Sequence, residues 1–128
     1  MATLLLDSSV IFDSLNGKRG RREFLYALLE QGHLLACCPI NVAEVYAGLR
    51  DHEKTETEAF LNSLEFYPFT REVAQKAGLI QREWRQKGRT LSFTDASLAA
   101  VAIHNALPFL TDNRKDFPMP ELPLYPLP

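Results

Sequence analysis

Four short apolar runs, each separated from the next by helical periodicity, constrain this chain more than any other feature. They are Thr3-Leu4-Leu5-Leu6, the HLLACC stretch at 33–38, Glu65-Phe66-Tyr67-Pro68-Phe69 and Pro108-Phe109-Leu110-Thr111. Runs this short and this apolar suit strands buried on both faces. Helical spacing fills the intervals. Val10, Ile11, Phe12 and Leu15 follow a serine cap at Ser8 or Ser9 and stop near Asn16-Gly17. Phe24, Leu25, Leu28 and Leu29 share the next helix face, which Gly32 ends. Pro39 leads into a helix with Val42, Val45, Tyr46 and Leu49, and residues 51–64 turn Phe60, Leu61 and Leu64 inward. Thr70 caps a long helix with Val73, Ala77, Ile80 and Trp84, ended by Gly88; residues 91–106 form a small-residue helix. No hairpin turn joins two strands. Strands alternating with helices in this way build a parallel sheet covered on both faces. The fold class is therefore α/β, three layers in the order α/β/α, with four to five strands. Five of the eight prolines lie between Pro118 and Pro128. Residues 122–127 are thus at best an edge strand or an extended strap, since proline cannot serve a central strand.

The 128 residues suit one domain, 1–128. A domain of this size buries roughly two-thirds of its unfolded surface and needs no metal or disulfide to hold its core. A hydrophobic share of 46% excludes intrinsic disorder. No apolar stretch approaches the ~18 residues of a membrane span. The start lacks a basic segment, and Asp7 ends the first apolar run at once, so a secretory signal is not expected. Cys37 and Cys38 are neighbours with no other cysteine to pair with, so the chain reads as cytoplasmic. A net charge of −2 does not advertise nucleic-acid binding, though a local basic stripe can act within an acidic total.

In parallel α/β sheets, ligands sit at the carboxyl ends of the strands, where strand order switches. Acids gather at those positions. Asp7 follows the first strand; Glu44 and Asp95 lie in the first turns of their helices; Asp112 follows the fourth strand, with Asn113 beside it and Asp116 one turn on. Each has a bland reading: Asp7 as a helix cap, Asn41-x-x-Glu44 as a capping-box variant, Asp95 as a helix-start acid, Asp112-Asn113 as turn residues. The bland account requires every edge position to be acidic by coincidence. Convergent carboxylates repel and raise one another's pKa. Apart from Arg114 and Lys115 just beyond, no cation lies in these motifs to offset them. A hard divalent cation held by oxygen ligands, Mg²⁺ or its substitute Mn²⁺, is the natural counter-charge, and it equips a site for phosphoryl chemistry.

The stretches LLLDSSVIFD, NVAEVYAGLR and TDASLAAVAIHNALPFLTDNRKDF, with the strap after Phe117, resemble a PIN domain, and more narrowly the VapC toxins of bacterial type II toxin–antitoxin pairs. The resemblance runs from Leu4 to the C-terminus; the blocks are short, and their order and spacing carry it. It implies a PIN-like fold and a Mg²⁺-dependent endoribonuclease that cuts RNA with activated water. It also implies a homodimer held inactive by a VapB-type antitoxin. By motif, Asp7, Glu44 and Asp95 take the places of the first three acids. Asp112 is taken as the fourth, with Asn113 and Asp116 as flanking or water-binding candidates. Ser9 and Thr94 are candidates for hydroxyl contacts around the metal. In this scheme Asp7 and Asp95 are direct or near-direct Mg²⁺ ligands, Glu44 holds a metal-bound water or orients the attacking one, and Asp112 completes the metal's shell.

Two basic clusters are available to guide an RNA backbone: Arg19, Arg21 and Arg22 with Lys18, and Arg85 and Arg89 with Arg82 and Lys87. Solvated helix faces are the commoner explanation of such runs. An antitoxin needs an apolar groove, for which Val10, Ile11, Phe12, Phe24 and Leu28 are candidates; core packing is their default role. His33, His52 and His104 show no metal-ligand spacing. A haloacid-dehalogenase-type phosphatase is a rival reading, but it wants a second Asp where Ser9 stands. A phospho-accepting receiver wants an Asp after the third strand, where Pro68-Phe69-Thr70 stands instead. A non-catalytic PIN-like interaction module would carry its like charges to no purpose.

Overall fold

Leu4, Leu5 and Leu6 are wholly buried, and the strand they form, β1 (Thr3–Leu6), lies inside the sheet. The computed structural model describes residues 1–128. The other strands are β2 (Leu34–Cys37), β3 (Glu65–Phe66) and β4 (Phe109–Leu110), in the order β3-β2-β1-β4, all parallel. Six helices connect and cover them: α1 (Ser8–Leu15), α2 (Arg21–Glu30), α3 (Pro39–Ala47), α4 (Lys54–Asn62), α5 (Arg71–Gln86) and α6 (Phe93–His104). The expected three-layer α/β/α fold is present.

Period-two alternation divides the core. Leu5, Ala36 and Phe109 face one layer, with Val73, Ala77 and the buried face of α6. Leu4, Leu6, Leu35, Cys37 and Leu110 face the other, with Val10, Ile11, Leu25, Leu28, Val45 and Leu61. Helix α6 is Ala-rich because it is buried nearly all round. The small side chains let it pack closely between α5 and the sheet.

Two details depart from the sequence expectation. β3 is only two residues long, and both are exposed; Pro68 lacks the N–H that would continue the ladder. The position before α1 belongs to Asp7, not Ser8 or Ser9, and its carboxylate makes no cap hydrogen bond. The tail behaves as a strap. The Phe109 N–H donates to the Pro123 carbonyl (2.8 Å), and the Tyr125 N–H donates to the Phe109 carbonyl (2.9 Å), laying Leu124 beside β4.

The chain runs from β1 outward to β2 and β3, then returns to place β4 on the other side of β1. The order therefore switches between β1 and β4. In open parallel sheets the carboxyl ends of the strands at such a switch point are where ligands bind.

Candidate active site

The pairing of β1 with β4 sets Leu6 against Leu110, and the Asp7 N–H donates to the Leu110 carbonyl (2.8 Å). Asp7 and Thr111, the next residues along, are thereby neighbours. The Thr111 hydroxyl donates to Asp7 Oδ2 (2.6 Å), and the Ser9 hydroxyl reaches the same oxygen (3.3 Å). Asp7 is 7% exposed. Burial raises its pKa above the ordinary 3.8; the Thr111, Ser8 and Ser9 hydrogen bonds pull it back, and the Glu44 charge raises it further.

Asp95 sits in the first turn of α6. Ser92 caps that helix by accepting the Asp95 N–H (3.0 Å). Partial burial raises the Asp95 carboxyl above 3.8; Ser92 opposes this, and the charges of Asp7, Asp116 and Glu44 add to it. Glu44 lies half-buried on α3 and accepts the Ser8 hydroxyl at Oε1 (2.6 Å). Ser8, next to Asp7, ties Glu44 to the end of β1, and Asp95 feels the charges of Asp7, Asp116 and Glu44, so the four acids neighbour one another at the carboxyl edge of the sheet.

Asp112 is set apart. Its carboxylate takes two nitrogens of Arg21, Nη2 at 2.5 Å and Nε at 3.3 Å. The carboxylate expected to complete the acidic set is thus paired with a cation from α2. Asp116, in the turn Arg114–Asp116, is one of three acids whose charges reach Asp95, with Asp7 and Glu44. Asn113 contributes its backbone N–H, which donates to Thr111 Oγ1 (2.9 Å), while its side chain is exposed. Thr94 is half-buried one residue before Asp95.

In the first basic cluster, Arg21 alone is buried while Arg19 and Arg22 are exposed. Arg21 is 4% exposed, and its guanidinium serves Asp112 and the carbonyls of Arg19 and Pro128. It cannot meet an RNA phosphate from there. Arg22 donates to the carbonyls of Ser14 and Leu15 at the end of α1. Arg19 is exposed, 3.7 Å from Asp13. Arg85 and Arg89 are exposed and in no ion pair, and the Arg89 guanidinium contacts the Lys115 carbonyl. That contact ties the segment after α5 to the turn that carries Asp116. The groove expectation changes as well: Val10, Ile11 and Leu28 are core residues. A groove of about 470 Å³ is instead lined by Leu15, Leu25, Tyr26, Leu29, Phe60 and Leu64, between α2 and α4.

Known proteins share this architecture. The family model described as the PIN domain matches residues 4–119. The chain belongs to the PIN-domain family. It is 30% identical to "Ribonuclease VapC19" of Mycobacterium tuberculosis over 115 residues, covering 90% of this chain and 92% of that one. It is 31% identical to "Ribonuclease VapC10" of the same organism over 116 residues, 91% and 86% of the two chains. The fold matches that in the crystal structure of VapBC2 from Rickettsia felis bound to a promoter DNA fragment, with a TM-score of 0.83 at 23% identity over 96% and 97% of the chains. It likewise matches DNA-bound VapBC from Salmonella typhimurium, with a TM-score of 0.82 at 22% identity over 98% of each.

Sequence reasoning missed three members of this PIN-domain site: Thr111, Ser8 as a partner of Glu44, and Asn41 as a buried hydrogen-bonding group. Thr111 had a usable signal, since it follows β4 as Asp7 follows β1. Ser8 and Asn41 had none beyond their helix-start positions.

The donor set suits a hard cation. Of the chain's five ion pairs, none involves Asp7, Glu44, Asp95 or Asp116. Four neighbouring carboxylates thus have no paired cation. No three of the side chains close on a single point as a ready-made metal cage. Mg²⁺ keeps several waters and takes one or two carboxylates directly, so it requires no such cage.

Proposed function

We propose that this PIN-domain chain is a Mg²⁺-dependent endoribonuclease, acting as the toxin of a VapBC-type pair. The observation that carries the reading is the gathering of Asp7, Glu44, Asp95 and Asp116 at the carboxyl edge of the sheet, beside the β1/β4 switch point, without a cation of the chain's own. The ribonuclease names of the relatives and the toxin–antitoxin complexes among the structural neighbours support it.

Asp7 and Asp95 are the residues that would hold the ion directly, with Glu44 and Asp116 completing the acidic set around it. Asp7 is oriented by Thr111 and Ser9, and Asp95 by its place in the capped first turn of α6. When bound, Mg²⁺, or Mn²⁺ in its place, supplies charge neutralisation and Lewis-acid polarisation of the phosphodiester. Glu44, with one oxygen engaged by Ser8, orients the attacking water through the other. Water adds to phosphorus in line, and the opposite P–O bond breaks. Thr94 and Asn113 are placed to bind water at the edge of the site. Arg85 and Arg89 draw the RNA backbone toward the site, a role open to them because both are exposed and in no ion pair, whereas Arg21 is buried against Asp112.

The apolar groove between α2 and α4 is the seat of the VapB-type antitoxin. Tyr26 and Leu29 are exposed along it, and Arg22, Glu56 and Glu65 give it a polar rim. A homodimer in the cytoplasm is the working assembly. No helix is long and apolar enough to cross a membrane.

The test is cleavage of a mixed cellular RNA pool by purified, antitoxin-free protein. Discrete cuts with Mg²⁺, lost with EDTA and in Asp95→Asn, are expected. Cutting that survives both controls overturns the metal mechanism. A folded protein that binds Mg²⁺ and cuts no RNA overturns the nuclease reading.

A further inference from the structure

We propose that Ser8 and Asn41 form a polarity-fixed relay that positions Glu44, an inference that rests on the nuclease reading above. Asn41 is wholly buried in the first turn of α3, and Glu44 lies one turn further along the same helix. The orientation of the Asn41 amide is dictated by backbone. The Cys38 N–H can only donate, so the oxygen facing it is Asn41 Oδ1 (2.9 Å). The Leu6 carbonyl can only accept, so the atom facing it is Asn41 Nδ2 (3.0 Å).

The same Nδ2 lies 3.0 Å from Ser8 Oγ. It has only hydrogens to offer, so Ser8 must accept there. Ser8 is left with one hydroxyl hydrogen, and that hydrogen points to Glu44 Oε1 at 2.6 Å. Each link excludes its reverse. The backbone at the ends of β1 and β2 therefore determines, through two side chains, where one oxygen of Glu44 sits and that it sits there as an acceptor. The other oxygen has no partner within the chain and stays available to the site.

This arrangement differs from an ordinary cap. A capping Asn needs only the Cys38 N–H. Here the second amide hydrogen goes across to α1, and the chain of bonds ends on an acid of the site. A carboxylate on a half-buried glutamate otherwise has several rotamers to choose from, and repulsion from Asp7 and Asp95 would drive it outward. The Ser8 hydrogen bond opposes that movement. Ser8 and Asn41 are positioning residues, since neither is placed to touch substrate.

The test compares Ser8→Ala, Ser8→Thr and Glu44→Gln, with the Ser8→Ala/Glu44→Gln double variant, in the full-length protein. Steady-state RNA cleavage gives kcat and KM, and calorimetric titration with Mn²⁺ gives a readout independent of turnover. For Ser8→Ala, kcat should fall about 10–100-fold, the usual range for groups that orient metal-site carboxylates, with KM nearly unchanged and Mn²⁺ binding weakened. Ser8→Thr should restore both, because it keeps the hydroxyl. The double variant should be no worse than Glu44→Gln alone, because Ser8 acts only through Glu44. Should Ser8→Ala fail to fold, Ser8→Cys, a weaker donor of similar shape, is expected to show the same loss. A folded Ser8→Ala with wild-type kcat and Mn²⁺ affinity overturns the relay, as do losses that add in the double variant. Wild-type protein that cuts no RNA counts against the nuclease reading alone, because the Mn²⁺ titrations then still decide whether Ser8 acts on Glu44.

Discussion

Arg21 and Asp112 lie 91 positions apart in the chain and meet as a buried pair, Nη2 to Oδ1 at 2.5 Å and Nε to Oδ2 at 3.3 Å. Their side chains are 5% and 11% exposed. The same guanidinium reaches the Pro128 carbonyl, so one residue of α2 holds both the end of β4 and the end of the strap.

Removing one partner of a buried ion pair leaves the other charge uncompensated, at a cost of about 3–5 kcal/mol. Arg21→Ala and Asp112→Ala should each destabilise the protein by that order. Arg21→Met combined with Asp112→Leu should recover most of the loss, because an apolar pair avoids the desolvation penalty. Urea unfolding of the four proteins measures this. Single variants as stable as wild type would show that the pair is solvated.

Asp7 bears the opposite kind of charge cost. Its folded-state pKa lies above the ordinary 3.8, chiefly through burial. The folded protein therefore holds that proton more tightly than the unfolded chain does. The resulting stability is complete below pH 3.8 and is lost as pH rises through the raised value. At neutral pH without divalent ions, Asp7→Asn should be more stable than wild type and melt at a higher Tm, because it carries no buried charge. The difference should shrink as pH approaches 4. Mg²⁺ should raise the Tm of wild type and leave Asp7→Asn nearly unmoved. Thermal melts across pH, with and without Mg²⁺, check all three points; an Asp7→Asn variant less stable at pH 7 would contradict them.

The separate placements of Asp112 and Asp116 predict different kinds of damage. Asp116→Asn should weaken Mn²⁺ affinity or cleavage about 10–100-fold while leaving Tm near wild type. Asp112→Asn should lower Tm first and affect cleavage only as far as the fold is lost. Equal effects on ion binding would mean that the Arg21 pair opens when the ion binds.

Among the arginines, location decides. Neutralising Arg89 should reduce the slope of RNA affinity against salt by about one phosphate contact, measured on Asp95→Asn protein so that the RNA survives. Arg21→Met should leave that slope unchanged, since its guanidinium is inside the protein. If the slopes responded the other way round, the path of the RNA would run over α2.

Asp7, Glu44 and Asp95 are legible in the sequence, because strand ends and helix starts can be located from local apolar spacing. The element order is legible for the same reason: buried strands and amphipathic helices leave one-dimensional signatures. Ser9 is legible as a hydroxyl near the first acid. Asp112 is the instructive case. In the sequence it has as good a claim as Asp116, since both follow β4 within a turn's length. What separates them is a cation supplied from α2.

Local apolar spacing suffices to specify a parallel sheet covered on both faces, with acids at its carboxyl edge. The partners of those acids were settled by packing. The pairing of Leu6 with Leu110 brought Thr111 to Asp7; the contact between α1 and α3 gave Ser8 to Glu44; the packing of α2 took Arg21 from the surface and gave it to Asp112. Periodicity is a local property, set by which face of a strand or helix meets water. The choice of a hydrogen-bond or charge partner depends on distances between segments far apart in sequence, and those distances exist only once the layers have packed.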